Sequence, residues 1–392
     1  MNHCNQTIIL LNRDCAFESP RSIRIVKWLR KIAKIHVLSF HGNRQKDCYG
    51  ENTVVYTFFK IPLSKPMEKI KRIFFKLIAF FAPWFYRLIV FRKEDKTFFE
   101  TLLSQKGDVI ICQSLDLLPY AFFYKEKYKD AKIIFDAREF YPHQGYHSFL
   151  WRIVFKDFTE WLCKTYLSRC DHVITVSKEI QDLYAHVFQV RSIVIPSYPS
   201  YHDLLPQPVS FEQIRMIHHG SCSRQRHLER MIDLLSMLDQ RFSLTFMVLS
   251  DDTDYLYFLK RYAKEKGVSD RLFFENPVLF EDIIPMLNAY DIGLYYLQKT
   301  KNKNHEYALP NKFFEYIQSR LMLVISDRPS MATYVKSYSL GLADDNLERL
   351  AISLNAMTVK DIQKYKENAH QAAVKLCDEH TKNYFCNLLK NV

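Results

Sequence analysis

The chain has 392 residues, enough for two domains at roughly 150 residues each. It is 48% hydrophobic and 25% charged, a globular composition that excludes disorder. The formal net charge of +12 suits phosphates, anionic lipid or nucleic acid, and nine cysteines without a CxxC pair argue against a disulfide framework or a structural zinc site.

A reducing cytoplasm is the simplest setting for such cysteines. The opening residues MNHCNQTIILLNRD hold only a four-residue apolar run before Arg13 and Asp14, which does not read as a signal peptide. Thr7–Leu11 is a first buried strand, Ser22–Ala33 a basic helix and Ile35–Ser39 a second strand. Further on, Asp108–Cys112 and Lys132–Phe135 are short apolar runs either side of a helical Leu117–Tyr128. Trp151–Leu167 reads as one long helix, His172–Val176 as a strand, Lys178–Val187 as a helix and Ser192–Ile195 as a last strand. A second alternation starts at Ile214–His218 and runs through His227–Leu238, Ser243–Leu249, Tyr255–Lys266, Leu272–Phe274, Glu281–Ala289, Ile292–Tyr296, Asn311–Ser319 and Met322–Ser326. Strands alternating with helices imply parallel sheets with right-handed crossovers. The expected fold class is α/β, with two Rossmann-like doubly wound domains facing across a cleft. Their expected bounds are 1–198 and 209–376, with the proline-rich Pro196–Pro208 as linker. The tail from Leu347 is helical, with Asn346 and Thr358 as caps.

Residues 60–93 stand apart, with nine Lys or Arg against one acid, Glu68. Lys65, Lys69, Arg72 and Lys76 recur at helical spacing, opposite Ile70, Ile73, Phe74, Leu77, Ile78, Phe81, Trp84 and Phe85. Such a helix suits an anionic membrane surface, with Lys69, Arg72, Lys76, Phe81, Trp84 and Phe85 as its contacts. A core helix with a solvated basic face is the plainer alternative. The uncharged run Leu77–Tyr86 is ten residues long and contains Pro83, against about 20 needed to span a bilayer. No nucleic-acid-binding module accompanies the charge.

Three segments carry candidate chemistry. Ile214–Glu229 is a strand, a turn at Gly220 and a helix start, which aims backbone N–H groups at an anion. Gly220, Ser221, Arg224 and Arg226 could surround a diphosphate there; an ordinary turn with solvated arginines is the alternative. In Pro310–Tyr316, Lys312 and Glu315 share one helix face, the lysine for a phosphate and the glutamate for ribose hydroxyls, or both for a surface ion pair. Phe135–Pro142 places Asp136, Arg138 and Glu139 at a strand's carboxyl end, as a site or as a solvated loop.

Taken in order, these segments resemble the bacterial GT-B glycosyltransferases of the retaining group 1, family-four type, many of which build capsule, O-antigen (lipopolysaccharide) or exopolysaccharide. Ser19-Pro20-Arg21 resembles the acceptor-side loop, Asp136-Ala137-Arg138-Glu139 the DxHE segment, and Asp171–Ser177 the ADxVITVS strand. Val194–Pro199 is similar to VxPNYP, Ala289–Leu294 to AADIGL, and Leu309–Tyr316 to the PNKLFEY helix. The resemblance implies transfer of a sugar from a UDP- or GDP-sugar to a saccharide acceptor, polyprenyl-diphosphate-linked, with no cofactor and no metal. It implies a protein on the inner face of the cell membrane. Arg226, Lys312, Asp136 and Glu139 are the candidate catalytic residues. Gly220, Ser221, Arg224, Arg226, Glu306, Asn311, Lys312 and Glu315 are the candidate donor contacts, and Ser19, Arg21 and Arg138 the acceptor side. Residues 377–392 would form a helix returning to the first domain. The chain departs from the family at Tyr307, where a glutamate is usual, at Arg138 in place of a histidine, and at Ser221 in place of an arginine. A nucleotide-sugar 2-epimerase of the same fold and a degenerate scaffold subunit are the competing functions.

Overall fold

The computed structural model describes residues 6–16, 19–40, 52–58, 93–249 and 252–390. The chain divides into two compact units, Met1–Pro196 with Thr381–Val392, and Ser197–His380.

The first unit is built on seven parallel strands: β1 (Thr7–Asn12), β2 (Lys34–Phe40), β3 (Thr53–Phe58), β4 (Val109–Cys112), β5 (Lys132–Ala137), β6 (His172–Thr175) and β7 (Ile193–Val194). Their order is β3-β2-β1-β4-β5-β6-β7. The residues Ile8–Leu11 are fully buried because the sheet is covered on both faces, which is why the strand reads as an unbroken apolar run. The order reverses between β1 and β4, where Ile8 pairs with Ile35 on one side and Val109 on the other. Helix 93–104 is anchored by Phe98, whose ring lies 5.0 Å from Phe40 and 5.6 Å from Tyr120. From the terminal helix Asp378–Lys390, the buried Phe385 meets Trp28 at 6.0 Å.

The second unit holds β8 (Ile214–Ser221), β9 (Phe242–Leu249), β10 (Leu272–Glu275), β11 (Ile292–Tyr295), β12 (Met322–Ile325) and β13 (Gly341–Ala343), ordered β10-β9-β8-β11-β12-β13. β9 follows β8 to its end, but β11 pairs with it only through Met216 and Ile217. The last residues of β8 therefore run past β11, and the reversal of order opens there. Gly293 in β11 has no room for a Cβ, which would sit 2.4 Å from the Tyr316 ring. That missing carbon lets helix Asn311–Gln318 lie directly on the strand.

The connecting segment 197–209 is tied to the second unit. The buried Arg320 donates to the carbonyls of His202 (2.6 Å) and Leu204 (3.1 Å), and Asn288 donates to that of Leu205 (3.1 Å). Asn346 and Thr358 cap helices Leu347–Ala356 and Val359–Lys375, the second through a full capping box with Asp361.

Five elements differ from the sequence reading. Thr53–Phe58 and Lys93–Ser104 were without assignment, and so were helix Pro329–Tyr338 and β13. The expected single helix Trp151–Leu167 is two, Phe149–Val154 and Lys156–Tyr166, with Phe155 (φ −109°) between them. The first piece packs on bare backbone at Gly145, where a Cβ would lie 2.3 Å from Trp151. Among the described residues no helix is long and apolar enough to cross a membrane. Residues 60–92, including Lys69, Arg72, Lys76, Phe81, Trp84 and Phe85, lie outside the described residues.

At the amino edge of the second sheet, Lys366 is fully buried and donates to Asp291 and to the carbonyl of Tyr290, both at 2.9 Å. Removing one partner of such a pair leaves an uncompensated charge. Lys366→Ala is expected to lower the unfolding free energy by about 3–5 kcal/mol, measured by urea denaturation.

Candidate functional site

The end of β8 and the start of helix Asn311–Gln318 meet at the switch point of the second sheet. Gly220 has φ +109°, a backbone conformation that side chains resist. A Cβ at Gly220 would also lie 3.0 Å from Lys312 Nζ, so this glycine admits the lysine. Lys312 is only 7% exposed. Its Nζ donates to the carbonyl of His219, lies 3.4 Å from His218 Nε2 and sits 5.0 Å from the centre of the Tyr295 ring.

Burial, and then the charge of Arg226, hold the Lys312 amine well below its ordinary range, with Glu315 pulling the other way. Burial and the Lys312 charge likewise keep both His218 and His219 well below theirs, so both imidazoles are neutral. His218 Nδ1 lies 3.0 Å from the carbonyl of Leu294, which fixes the proton on that nitrogen and turns the Nε2 lone pair to Lys312. Arg226 reaches the hydroxyl of Tyr295, whose ionisation burial nevertheless pushes up. Glu315 is 4% exposed, and its Oε2 lies 3.3 Å from His219 Nε2.

Of the sequence candidates, the structure thus brings Gly220, Arg226, Lys312 and Glu315 together. Asn311 opens the same helix, behind an extended Pro310. Ser221 ends β8 exposed. Arg224 is also exposed, with its Nε on Asp252 at 3.0 Å and its guanidinium 5.2 Å from the Tyr255 ring centre. Glu306 lies 3.9 Å from Arg328, which is 2% exposed and also donates to Asp345 at 2.8 Å.

In the first unit, Arg21 grips Asp136 side-on, Nε to Oδ2 at 2.8 Å and Nη2 to Oδ1 at 2.7 Å, and its Nη1 donates to the carbonyl of Ile195 at 2.9 Å. Gln113 Nε2 donates to Asp136 Oδ2 (2.9 Å) and its Oε1 accepts from Ser22 Oγ (2.6 Å). Burial would raise the Asp136 carboxyl, but the Arg21 charge, these hydrogen bonds and the Arg138 charge outweigh it and hold it below the usual range. Asp136, expected as a reacting group, is fully buried and committed to Arg21 and Gln113. Arg138 remains at the rim, donating to Ser19 Oγ (2.9 Å) and the carbonyl of Gln113 (3.3 Å). Ser19 caps helix Pro20–Leu29. Glu139 is partly buried beside Arg138, and burial raises its carboxyl despite that charge.

Sequence reasoning missed His218, Tyr295 and Arg328. A signal existed for His218: it and His219 are neighbours near the end of a buried strand, directly ahead of its only glycine. Nothing local marked Arg328. Among the described residues no group of three His, Cys, Asp or Glu side chains could hold a metal.

Two doubly wound parallel sheets in one chain, each with β1 or its counterpart at the reversal, define the GT-B fold. Residues 243–387 match the model of the glucosyltransferase 3-like C-terminal domain. No curated protein matches the chain. Among solved structures it is similar to HepE of Anabaena in complex with UDP and glucose (TM-score 0.71, 13% identity, 99% of this chain and 100% of that one). It is similar to sucrose-phosphate synthase of Thermosynechococcus elongatus (0.71, 12%, 99% of each). A third neighbour is the UDP-forming α,α-trehalose-phosphate synthase of Burkholderia vietnamiensis (0.66, 12%, 99% and 100%). At these identities the likeness establishes the fold.

The Arg21–Asp136 pair carries a signed pH dependence. Because the folded carboxyl lies below its unfolded value of about 3.9, its stabilisation is whole above that value and is lost as pH falls through the folded value. Asp136→Asn should cost about 3–5 kcal/mol at pH 7, and urea titrations should show the gap from wild type shrinking below about pH 4.

Proposed function

We propose that the chain is a glycosyltransferase that moves a sugar from a nucleotide-diphosphate sugar to a saccharide acceptor. The observation that carries this reading is the buried Lys312 amine at the carboxyl edge of β8, beside Gly220 and Arg226, with Glu315 one turn further along the same helix. A diphosphate at the lysine and a ribose at the glutamate match that spacing. Neighbours solved with UDP and glucose, and the glucosyltransferase 3-like match, support a UDP-sugar donor.

In the reaction, the bond between the anomeric carbon and the diphosphate breaks and negative charge grows on the leaving phosphate. Lys312 and Arg226 stabilise that charge in a pocket screened from water. The acceptor hydroxyl attacks from the same face, with retention and without a protein nucleophile or metal. Ser19, Arg138 and Glu139 serve the acceptor in the first domain. The acceptor is lipid-linked and belongs to surface polysaccharide synthesis, and residues 60–93 hold the protein to the inner face of the cell membrane.

Purified protein heated with UDP, GDP, CMP and their sugars tests the donor site. A ligand at 100 times its Kd adds about 2.7 kcal/mol, a visible Tm shift, and the expected result is a shift selective for uridine nucleotides. No shift with any nucleotide would favour a scaffold without a donor site, and conversion of the free nucleotide sugar to its 2-epimer would favour the epimerase. Glu315→Gln should weaken nucleotide binding roughly tenfold or more, as for a hydrogen bond to a charged group. Unchanged affinity would remove Glu315 from the site.

Lys312 adds a proton linkage. Its amine is depressed when the site is empty, and a bound diphosphate raises it. Binding should therefore take up a proton, and affinity should fall as pH rises between the two values. Calorimetry at a series of pH values from 7 to 10, in buffers of different ionisation heat, should show that uptake in wild type, and none in Lys312→Arg, whose charge is permanent.

A further inference from the structure

His219 lies two residues before the end of β8, and four of its features meet one helix. Its carbonyl accepts from Lys312 Nζ. Its amide faces the Tyr316 hydroxyl at 3.4 Å, and its ring meets the Tyr316 ring edge-on, 5.3 Å away at 83°. Its Nε2 lies 3.3 Å from Glu315 Oε2, with 6% and 5% of the two side chains exposed. The charge that acts on its ring is that of Lys312, while Tyr295 on β11 and Arg226 in the following turn lie about the neighbouring His218.

The imidazole is neutral, held so by burial and the Lys312 charge. A neutral imidazole facing a carboxylate carries its proton on the facing nitrogen, so Nε2 is the N–H turned toward Glu315. The contact has ion-pair distance but is not aligned for a hydrogen bond, and Nε2 has no aligned partner. Contacts of this kind commonly tighten when a ligand draws the acceptor into line. One residue thus touches both groups that a nucleotide diphosphate would need, with its ring and with its backbone.

We propose that His219 is a positioning residue: its imidazole sets Glu315 for the ribose hydroxyls while its carbonyl sets Lys312 for the diphosphate. The two polar ends of the nucleotide are then read by one rigid unit. This rests on the donor-site reading given above. It assigns His219 no contact with the reacting atoms, and it separates the two ends experimentally, because substitution removes the ring and leaves the carbonyl.

The test compares binding of UDP and 2′,3′-dideoxy-UDP by calorimetry. Wild type should prefer UDP roughly tenfold or more, the size expected for hydrogen bonds to a charged acceptor. In His219→Phe that preference should fall to about twofold or less, while affinity for the dideoxy nucleotide changes less than about threefold, since the phosphate contacts remain. His219→Gln, which restores an N–H donor, should recover part of the preference. Full retention of the preference in His219→Phe would overturn the inference and leave the donor site standing. A wild type that binds UDP without preferring it would do the same. A wild type that binds neither nucleotide would overturn the donor-site reading and this inference with it. Should His219→Phe fail to fold, nitrogen NMR of the wild-type imidazole decides. The Nε2–H tautomer should persist from pH 5.5 to 8 and its signal should move with UDP but not with inorganic pyrophosphate. An Nδ1–H tautomer, or an equal response to pyrophosphate, would overturn it.

Discussion

The second domain is organised around one awkward group, the buried amine of Lys312. An ammonium taken out of water is costly unless a partner replaces its hydration. Here the replacements are weak: a backbone carbonyl, an imidazole lone pair and an aromatic face. Arg226 adds repulsion instead of relief. A site with that balance favours an anion strongly, because an incoming phosphate relieves both cations at once. The glycine at position 220, the overrun of β8 past β11 and the close seat of helix Asn311–Gln318 all serve to bring this amine to the crevice.

The first domain has the same strand order around its reversal and the opposite electrostatics. There the equivalent edge is closed by Arg21 and Asp136, with Gln113, Ser22 and Asn12 completing a buried chain of hydrogen bonds. Every charge in that chain has a partner, so the edge is rigid and close to neutral. What remains at its rim, half-buried, is Arg138 with Ser19, and Glu139 beside them. Topology sets where a ligand can approach a parallel sheet, and side chains decide what can stay there.

Of the chain's eight glycines, three that stand at close approaches shape its sites and helices. Gly220 makes way for an amine, Gly293 for a tyrosine ring and Gly145 for an indole. Each removes a single carbon to let two elements touch, which is how a glycine-poor, aromatic-rich chain still forms a tight turn at the carboxyl edge of β8.

The sequence by itself determined the two-sheet α/β alternation, because strands buried on both faces leave apolar runs that need no partner to be recognised. It also determined the caps Asn346 and Thr358 and the shared face of Lys312 and Glu315, all fixed by spacing within one or two turns. β3 escaped because its side chains are mostly half-buried, leaving a weak pattern. Only the tertiary structure decided the fate of the charges. Asp136 meets Arg21 across 115 positions, Glu306 meets Arg328, Arg224 meets Asp252, and His219 meets Glu315 across 96. Whether a charge ends up paired, solvated or left waiting for a ligand depends on what the fold places within a few ångströms of it, and that neighbour is not encoded in the local spacing.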